Sequence, residues 1–206
     1  MTIQVGALSK ADEKQAIRFA VTGMHFDWYF DSQFLLNLYA RYFWYLEITR
    51  ATQILAAYVQ GEFAGVLLAK MKGQDRQRRS IWRSLYVRMF DGLQRLFSQK
   101  GAGAYEEANQ EMLAAYQKEH TPDGEILFLA AAPDRQAKGI GSALLAELER
   151  REPGKQIYLY TDNACTYSFY ERRGFERICE KAIVLDLPKG PVPLTCFLYS
   201  KVLPKK

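Results

Sequence analysis

The stretch that most constrains this chain runs from Glu125 to Ser142. An apolar run of strand length, Ile126 to Ala132, breaks at Pro133 and passes through a basic turn that contains Gly139 and Gly141. It continues as Ala143-Leu144-Leu145-Ala146-Glu147-Leu148-Glu149, a strong helix former. Strand, glycine turn and helix in succession leave the first N–H groups of the helix without intrahelical acceptors, at the end of a strand. Glycines there let a bulky anion approach the backbone, and the helix dipole adds positive potential. Arg135 and Lys138 supply charge that suits a pyrophosphate. The plainer reading of the same residues is a turn that only reverses the chain.

Length and composition bound the class. At 206 residues the chain fits one domain, or a domain with an insertion, and can bury a full core. With 49% apolar and 25% charged residues it is globular rather than disordered. The net charge of +5 suits a polyanionic ligand, although a basic balance also serves solubility, and no nucleic-acid partner is expected. Cys165, Cys179 and Cys196 form no paired framework and no C-x-x-C spacing, which points to reduced thiols in a cytoplasm. Polar Ser9 to Gln15 interrupts any leader-like run, and Ile126 to Ala132 is far too short to span a bilayer. A soluble, cytoplasmic protein without a membrane partner is expected; a homodimer stays open.

Taken in order, Ile3 to Leu8 reads as a strand, and Ser9 with Asp12 resembles a capping box before a helix that carries Ala16, Ile17, Ala20 and Val21 on one face. An aromatic cluster, Met24 to Phe30, leads to a second helix from about Asp31 to Leu46. Thr52 to Val59 and Glu62 to Met71 read as a hairpin about Gln60-Gly61. Between Lys72 and Pro122, the apolar stripe from Ile81 to Phe97 and a second one from Tyr105 to Tyr116 predict two helices forming a hairpin. Gln156 to Thr161 is a strand and Ala164 to Arg172 a helix ended by Gly174. Phe175 to Leu187 and Leu194 to Val202 are two more strands, joined through Pro188, Gly190, Pro191 and Pro193.

Two of these segments together resemble one family. Arg135-Gln136-Ala137-Lys138-Gly139-Ile140-Gly141 looks like the Q/R-x-x-G-x-G/A pyrophosphate loop of the GCN5-related N-acetyltransferase (GNAT) superfamily, which binds acetyl-CoA. Downstream, Asn163 followed by Tyr170-Glu171-Arg172-Arg173-Gly174-Phe175 resembles the same family's asparagine and YEK-x-GF segment. The resemblance is close from Gly124 to Phe175. It implies an α/β (α+β) class with the GNAT fold: a mixed, twisted central sheet flanked by helices, in a single domain over residues 1–206. A helical insertion at about 73–122, between strands 3 and 4, departs from the family's short turn there. The strand, two helices and hairpin of the first part follow the order with which such proteins begin.

By the same resemblance, the co-substrate is acetyl-CoA, no metal is involved, and an acetyl group passes to a primary amine of a small molecule by direct attack in a ternary complex. A protein or peptide acceptor, or a non-catalytic acyl-CoA-binding module, are the alternatives. The implied coenzyme contacts are Leu129, Ala130 and Ala131 on a fourth strand that splays from the fifth, and Arg135, Gln136, Ala137, Lys138, Gly139, Ile140, Gly141 and Ser142 in the loop. Asn163 matches a residue that touches the coenzyme arm or caps a helix. Tyr170 matches the general acid that protonates the departing thiolate, or else packs against the coenzyme. Glu125 is either the base that takes the amine proton or a solvated strand-end residue. His25 and Asp27 compete for that role, and Trp28 and Tyr29 either line the acceptor pocket or belong to the core.

Arg172 and Arg173 read as a solvated face. The arginine-rich stripe from Arg76 to Lys100 reads either as a membrane-surface or acidic-partner helix, or as a helix docked on its hairpin partner with its arginines in water.

Overall fold

The computed structural model describes residues 2–97, 102–132, 138–187 and 190–205. The chain runs β1 (Ile3–Gly6), α1 (Glu13–Gly23), a single 3-10 turn (Phe26–Trp28), α2 (Gln33–Arg50), β2 (Gln53–Val59), β3 (Glu62–Met71), α3 (Ile81–Phe97) and α4 (Ala102–Tyr116). It continues β4 (Gly124–Ala131), α5 (Ile140–Arg151), β5 (Gln156–Asp162), α6 (Ser168–Glu171), β6 (Glu176–Leu187) and β7 (Gly190–Val202). The seven strands form one sheet in the order β1-β2-β3-β4-β5-β7-β6, antiparallel except where β4 meets β5. This is the mixed α/β sheet flanked by helices that the sequence led us to expect.

Both faces are covered, which explains why β3 is apolar at nearly every position. On one face α5 sets Ile140, Leu144, Leu145 and Leu148 against Leu55, Leu67, Ile126 and Leu159. On the other, α1 and α2 bury Phe19, Leu36, Trp44 and Ile48 over β2, β3 and β4. The same face continues under α4, where Ala108, Met112 and Tyr116 pack on Cys196 and Leu198 of β7.

Several local expectations are corrected. No capping box forms at α1: Asp12 makes no side-chain cap, and its carboxylate instead accepts a 2.9 Å hydrogen bond from the Tyr58 hydroxyl. The helix expected over Ala164–Arg172 is the single turn α6, because Asp162 Oδ1 holds the preceding loop by accepting from the Ala164 and Cys165 amides at 2.9 and 3.1 Å. β7 runs straight through Pro191 and Pro193. It can do so because its pairing with β5 stops at Cys196, so at the prolines that edge has no ladder for a missing N–H to break.

The inserted helices do not pack as a hairpin. Among the described residues α3 docks on α2, stacking Phe90 on Tyr42 at 4.5 Å and donating the Tyr86 hydroxyl to the Leu38 carbonyl at 3.1 Å. α4 instead lies across β6 and β7. A buried carboxylate decides this: Glu13 of α1 accepts from Arg83 at 2.8 Å, from Arg78, and from Trp44 Nε1 at 3.2 Å. Two arginines of the stripe, which the sequence left open between a partner surface and a wet face, are therefore half-buried partners of one acid, a contact that fixes the start of α3 over α1 and α2.

Candidate active site

β4 and β5 pair only at Gly124–Ile157 and Glu125–Tyr158. Two residues further, β4 carries a bulge: Leu68 pairs with Phe128 and Ala69 with Ile126, which leaves Leu127 without a counterpart in β3. A bulge adds twist and bends its strand, so it coincides with the parting of the two parallel strands. From Ile126 onward the β5-facing edge of β4 has no strand partner, while its other edge stays paired to β3 as far as Ala131.

A cavity of about 820 Å³ opens in that gap. Its floor is Ile126 to Ala132, and one end reaches Gly139, Ile140, Gly141 and Ser142 at the start of α5. Gly139 adopts φ +97°, a backbone state open mainly to glycine, and its carbonyl accepts the first helical bond, from Ala143, at 2.9 Å. The Ile140, Gly141 and Ser142 amides make no hydrogen bond to another described residue. Arg173 donates to Ser142 Oγ and lies 5.7 Å above the Phe169 ring, and Arg172 joins it in the wall. Exposed cations, a left-handed glycine and orphan helix amides at one end of a long cleft fit a ligand with a phosphate head and an extended arm.

Of the sequence-predicted coenzyme residues, Leu129, Ala130, Ala131, Gly139, Ile140, Gly141, Ser142 and Tyr170 line the cavity. Lys138 is exposed just before it, and Arg135, Gln136 and Ala137 lie outside the described residues. Asn163 points away: its side-chain oxygen accepts from the Thr195 amide at 2.9 Å, and Asp162 does the local capping. Tyr170 is enclosed by Phe169, Phe175 and Tyr199. Burial, and to a smaller extent Cys165, push its phenol well above the ordinary value of 10. Its hydroxyl has no hydrogen-bond partner among the described residues, which leaves the proton available to a ligand atom.

Glu125 is not a solvated strand end. It is largely buried and takes a 3.2 Å hydrogen bond from Arg50, whose guanidinium also reaches Glu47 at 3.2 Å. Burial raises its pKa, against opposing pulls from Arg50 and Lys70. It lies outside the cavity lining, on the α2 side of the point where β4 and β5 part. Glu47 is 7% exposed, and burial pushes its carboxyl up to about 7, with Arg50 pulling it back and Glu125 adding to the rise. Between 4.5 and about 7 the folded chain holds a proton there that the unfolded chain releases, so stability from this group is present below that window and lost as pH rises through it. Glu47→Gln should flatten the pH dependence of the unfolding free energy across that window in denaturant titrations; an unchanged slope would assign it elsewhere.

None of His25, Asp27, Trp28 and Tyr29 lines the cavity, although Gly23 and Met24 just before them do. His25 sits at φ +51°, stacks on Trp28 at 4.5 Å and donates Nε2–H to the Ala164 carbonyl at 3.3 Å. Asp27 is exposed. Tyr29 stacks on Tyr39 at 6.4 Å, and its phenol is raised mainly by burial, with Tyr39 and then Asp162 adding.

Sequence reasoning missed Tyr105, Cys165, Arg172 and Arg173 in the wall. The two arginines could have been found from their place two and three residues after Tyr170 in one tight turn. Tyr105 could not: it comes from α4 and is aimed by a 3.0 Å hydrogen bond to Asp162, far along the chain. Burial, followed by Asp162, pushes the Cys165 thiol up to about 12, so it is no nucleophile at neutral pH.

Residues 102–177 match the sequence model of the acetyltransferase (GNAT) domain. No curated protein matches the chain in sequence. Among solved structures, a histone acetyltransferase HPA2 and related acetyltransferase from Corynebacterium glutamicum superposes with a TM-score of 0.56 at 17% identity, covering 100% of this chain and 98% of that one. PaiA N-acetyltransferase from Thermoplasma acidophilum, solved in complex with coenzyme A, gives 0.52 at 18% identity, with 98% and 99% coverage. An agmatine N-acetyltransferase gives 0.51 at 11% identity, with 98% and 100% coverage. Residues 102–177 are therefore of the acetyltransferase (GNAT) kind, the whole chain shares the fold of these acetyltransferases, and the domain match supports an acyltransferase.

Proposed function

We propose that the protein transfers an acetyl group from acetyl-CoA to a primary amine of a small molecule, by direct attack in a ternary complex, with residues 1–206 acting as one catalytic unit. The parting of β4 from β5 above the glycine turn of α5 carries this reading, since it supplies a backbone edge and an anion site in one cleft. The coenzyme supplies the activated thioester. The amides at Ile140 to Ser142, with Arg172 and Arg173, hold its diphosphate, and the free edge of β4 near Leu129 takes the arm by backbone hydrogen bonds. A β4 amide at that edge polarises the carbonyl that the amine attacks. Tyr170 gives its proton to the departing sulfur.

Glu125 takes the amine proton through water, its basicity lifted by burial. Loss of that proton makes the amine nitrogen nucleophilic, and placement beside the carbonyl supplies most of the remaining advantage. A small acceptor is supported by Tyr105, which α4 brings into the wall on the side away from α5 and which narrows the approach. The three cysteines are all free, in keeping with a reducing cytoplasm. Thiol release measured over a panel of small amines and peptides tests the reading: turnover with small primary amines is expected, and turnover confined to peptides would refute it. Cys165→Ala should keep most activity, and the wild-type protein incubated with acetyl-CoA should show no acyl-enzyme by mass spectrometry, whereas a thioester trapped on wild-type Cys165 would replace direct attack with a two-step route.

A further inference from the structure

The apolar stripe of α3 is wider than its docking on α2 accounts for. At about 100° per residue, Arg83, Tyr86, Val87 and Phe90 cover the arc toward α2, and Ile81, Trp82, Leu85 and Met89 fall on a separate arc of about 100°. That second arc is bare: Ile81 is 87% exposed, Trp82 81%, and Leu85 and Met89 55% each. Single exposed apolar residues are ordinary, but four on consecutive turns of one helix form a patch that marks an interaction surface.

Charge narrows the occupant. Arg76, Arg79 and Arg88 are exposed around the patch. Among the described residues Arg79 alone of the three has an acid beside it, Asp75 at 2.9 Å, and that pair is solvent-exposed and weak. From Arg76 to Gly92 the one acidic residue is Asp91, which is partly buried and accepts the Tyr42 hydroxyl at 2.6 Å. A second copy seated on this face about a two-fold axis would set the arginines against their own counterparts. An anionic lipid surface accepts both features, with the apolar arc among the acyl chains, the Trp82 ring at the headgroup level and the arginines on phosphates.

We propose that α3 is a peripheral membrane-binding helix that places this enzyme on anionic bilayers. No helix among the described residues is long and apolar enough to cross a membrane, so the attachment is to the surface and reversible.

The test uses the full chain with vesicles of phosphatidylcholine alone or mixed with phosphatidylglycerol, read by co-sedimentation. Binding to the anionic vesicles is expected, with little to the neutral ones. Salt at about 1 M, where the screening length falls to about 3 Å, should weaken it strongly. Leu85→Glu or Trp82→Glu should weaken it by roughly tenfold or more while coenzyme A affinity, measured by calorimetry, stays unchanged and shows the fold intact. Failure to bind anionic vesicles, equal binding to neutral ones, or binding that survives Leu85→Glu would each overturn the proposal. So would a concentration-dependent doubling of mass in sedimentation that Leu85→Glu abolishes, since it would give the face to a second copy.

Discussion

Gly139→Val should lower affinity for coenzyme A roughly 100-fold, equivalent to about 2.7 kcal/mol, in calorimetric titrations of a chain that remains folded. The loss has a backbone origin. Gly139 sits at φ +97°, and among the described residues a Cβ built there would meet only Ile3 Cδ1, at 4.0 Å. There is space for the added atoms but no relaxed backbone state for a β-branched residue, so the turn must rotate toward negative φ. Rotation re-aims the amides of Ile140 to Ser142 away from the point on which they converge. The cost to stability should be about 1–3 kcal/mol, visible in denaturant unfolding but short of abolishing the fold. Gly141→Ala is the contrasting case: its Cβ would press on the Phe169 ring at 3.2 Å, and a ring edge can swing aside. It should therefore cost less affinity than Gly139→Val. An unchanged coenzyme affinity in a stable Gly139→Val protein would mean that the anion site is elsewhere.

What could be read from the sequence was what neighbouring residues decide among themselves. The strand, glycine turn and helix from Glu125 to Ser142 are legible because each part is fixed by residues a few positions away. Tyr170, Gly174 and Phe175 share one tight turn and are legible for the same reason, the Phe175 amide donating to the Tyr170 carbonyl at 3.1 Å. Contacts that close long loops were not legible. Nothing near Arg78 or Arg83 announces that both will converge on Glu13, and without that contact the two inserted helices look like a hairpin packed on itself. Asn163 and Asp162 show the limit at its finest: two adjacent capping residues, of which the tertiary partner Thr195 takes the first and leaves the turn to the second. Glu125 was ambiguous because its role depends on Arg50 and Glu47, which α2 brings in from another part of the chain.

Tyr170→Phe should lower kcat by roughly 10²- to 10³-fold while changing affinity for coenzyme A only slightly. The ring is enclosed by Phe169, Phe175 and Tyr199, so phenylalanine fills the same space and the only atom lost is the hydroxyl oxygen. That hydroxyl has no partner among the described residues to leave unsatisfied, so the substitution should not unfold the chain. Its effect falls on the step in which the thiolate leaves. The sign of the pH dependence follows from burial, which raises the phenol above its usual 10. An acid with a raised pKa stays protonated further into the alkaline range, so wild-type kcat should show no alkaline decline from this group near 10, and the variant's loss should be the same at every lower pH. The same logic predicts a leaving-group effect: acyl donors whose thiols are more acidic need less protonation and should lose less activity in Tyr170→Phe. Equal kcat in the two proteins with every donor would remove Tyr170 as the acid and leave it a packing residue under the coenzyme.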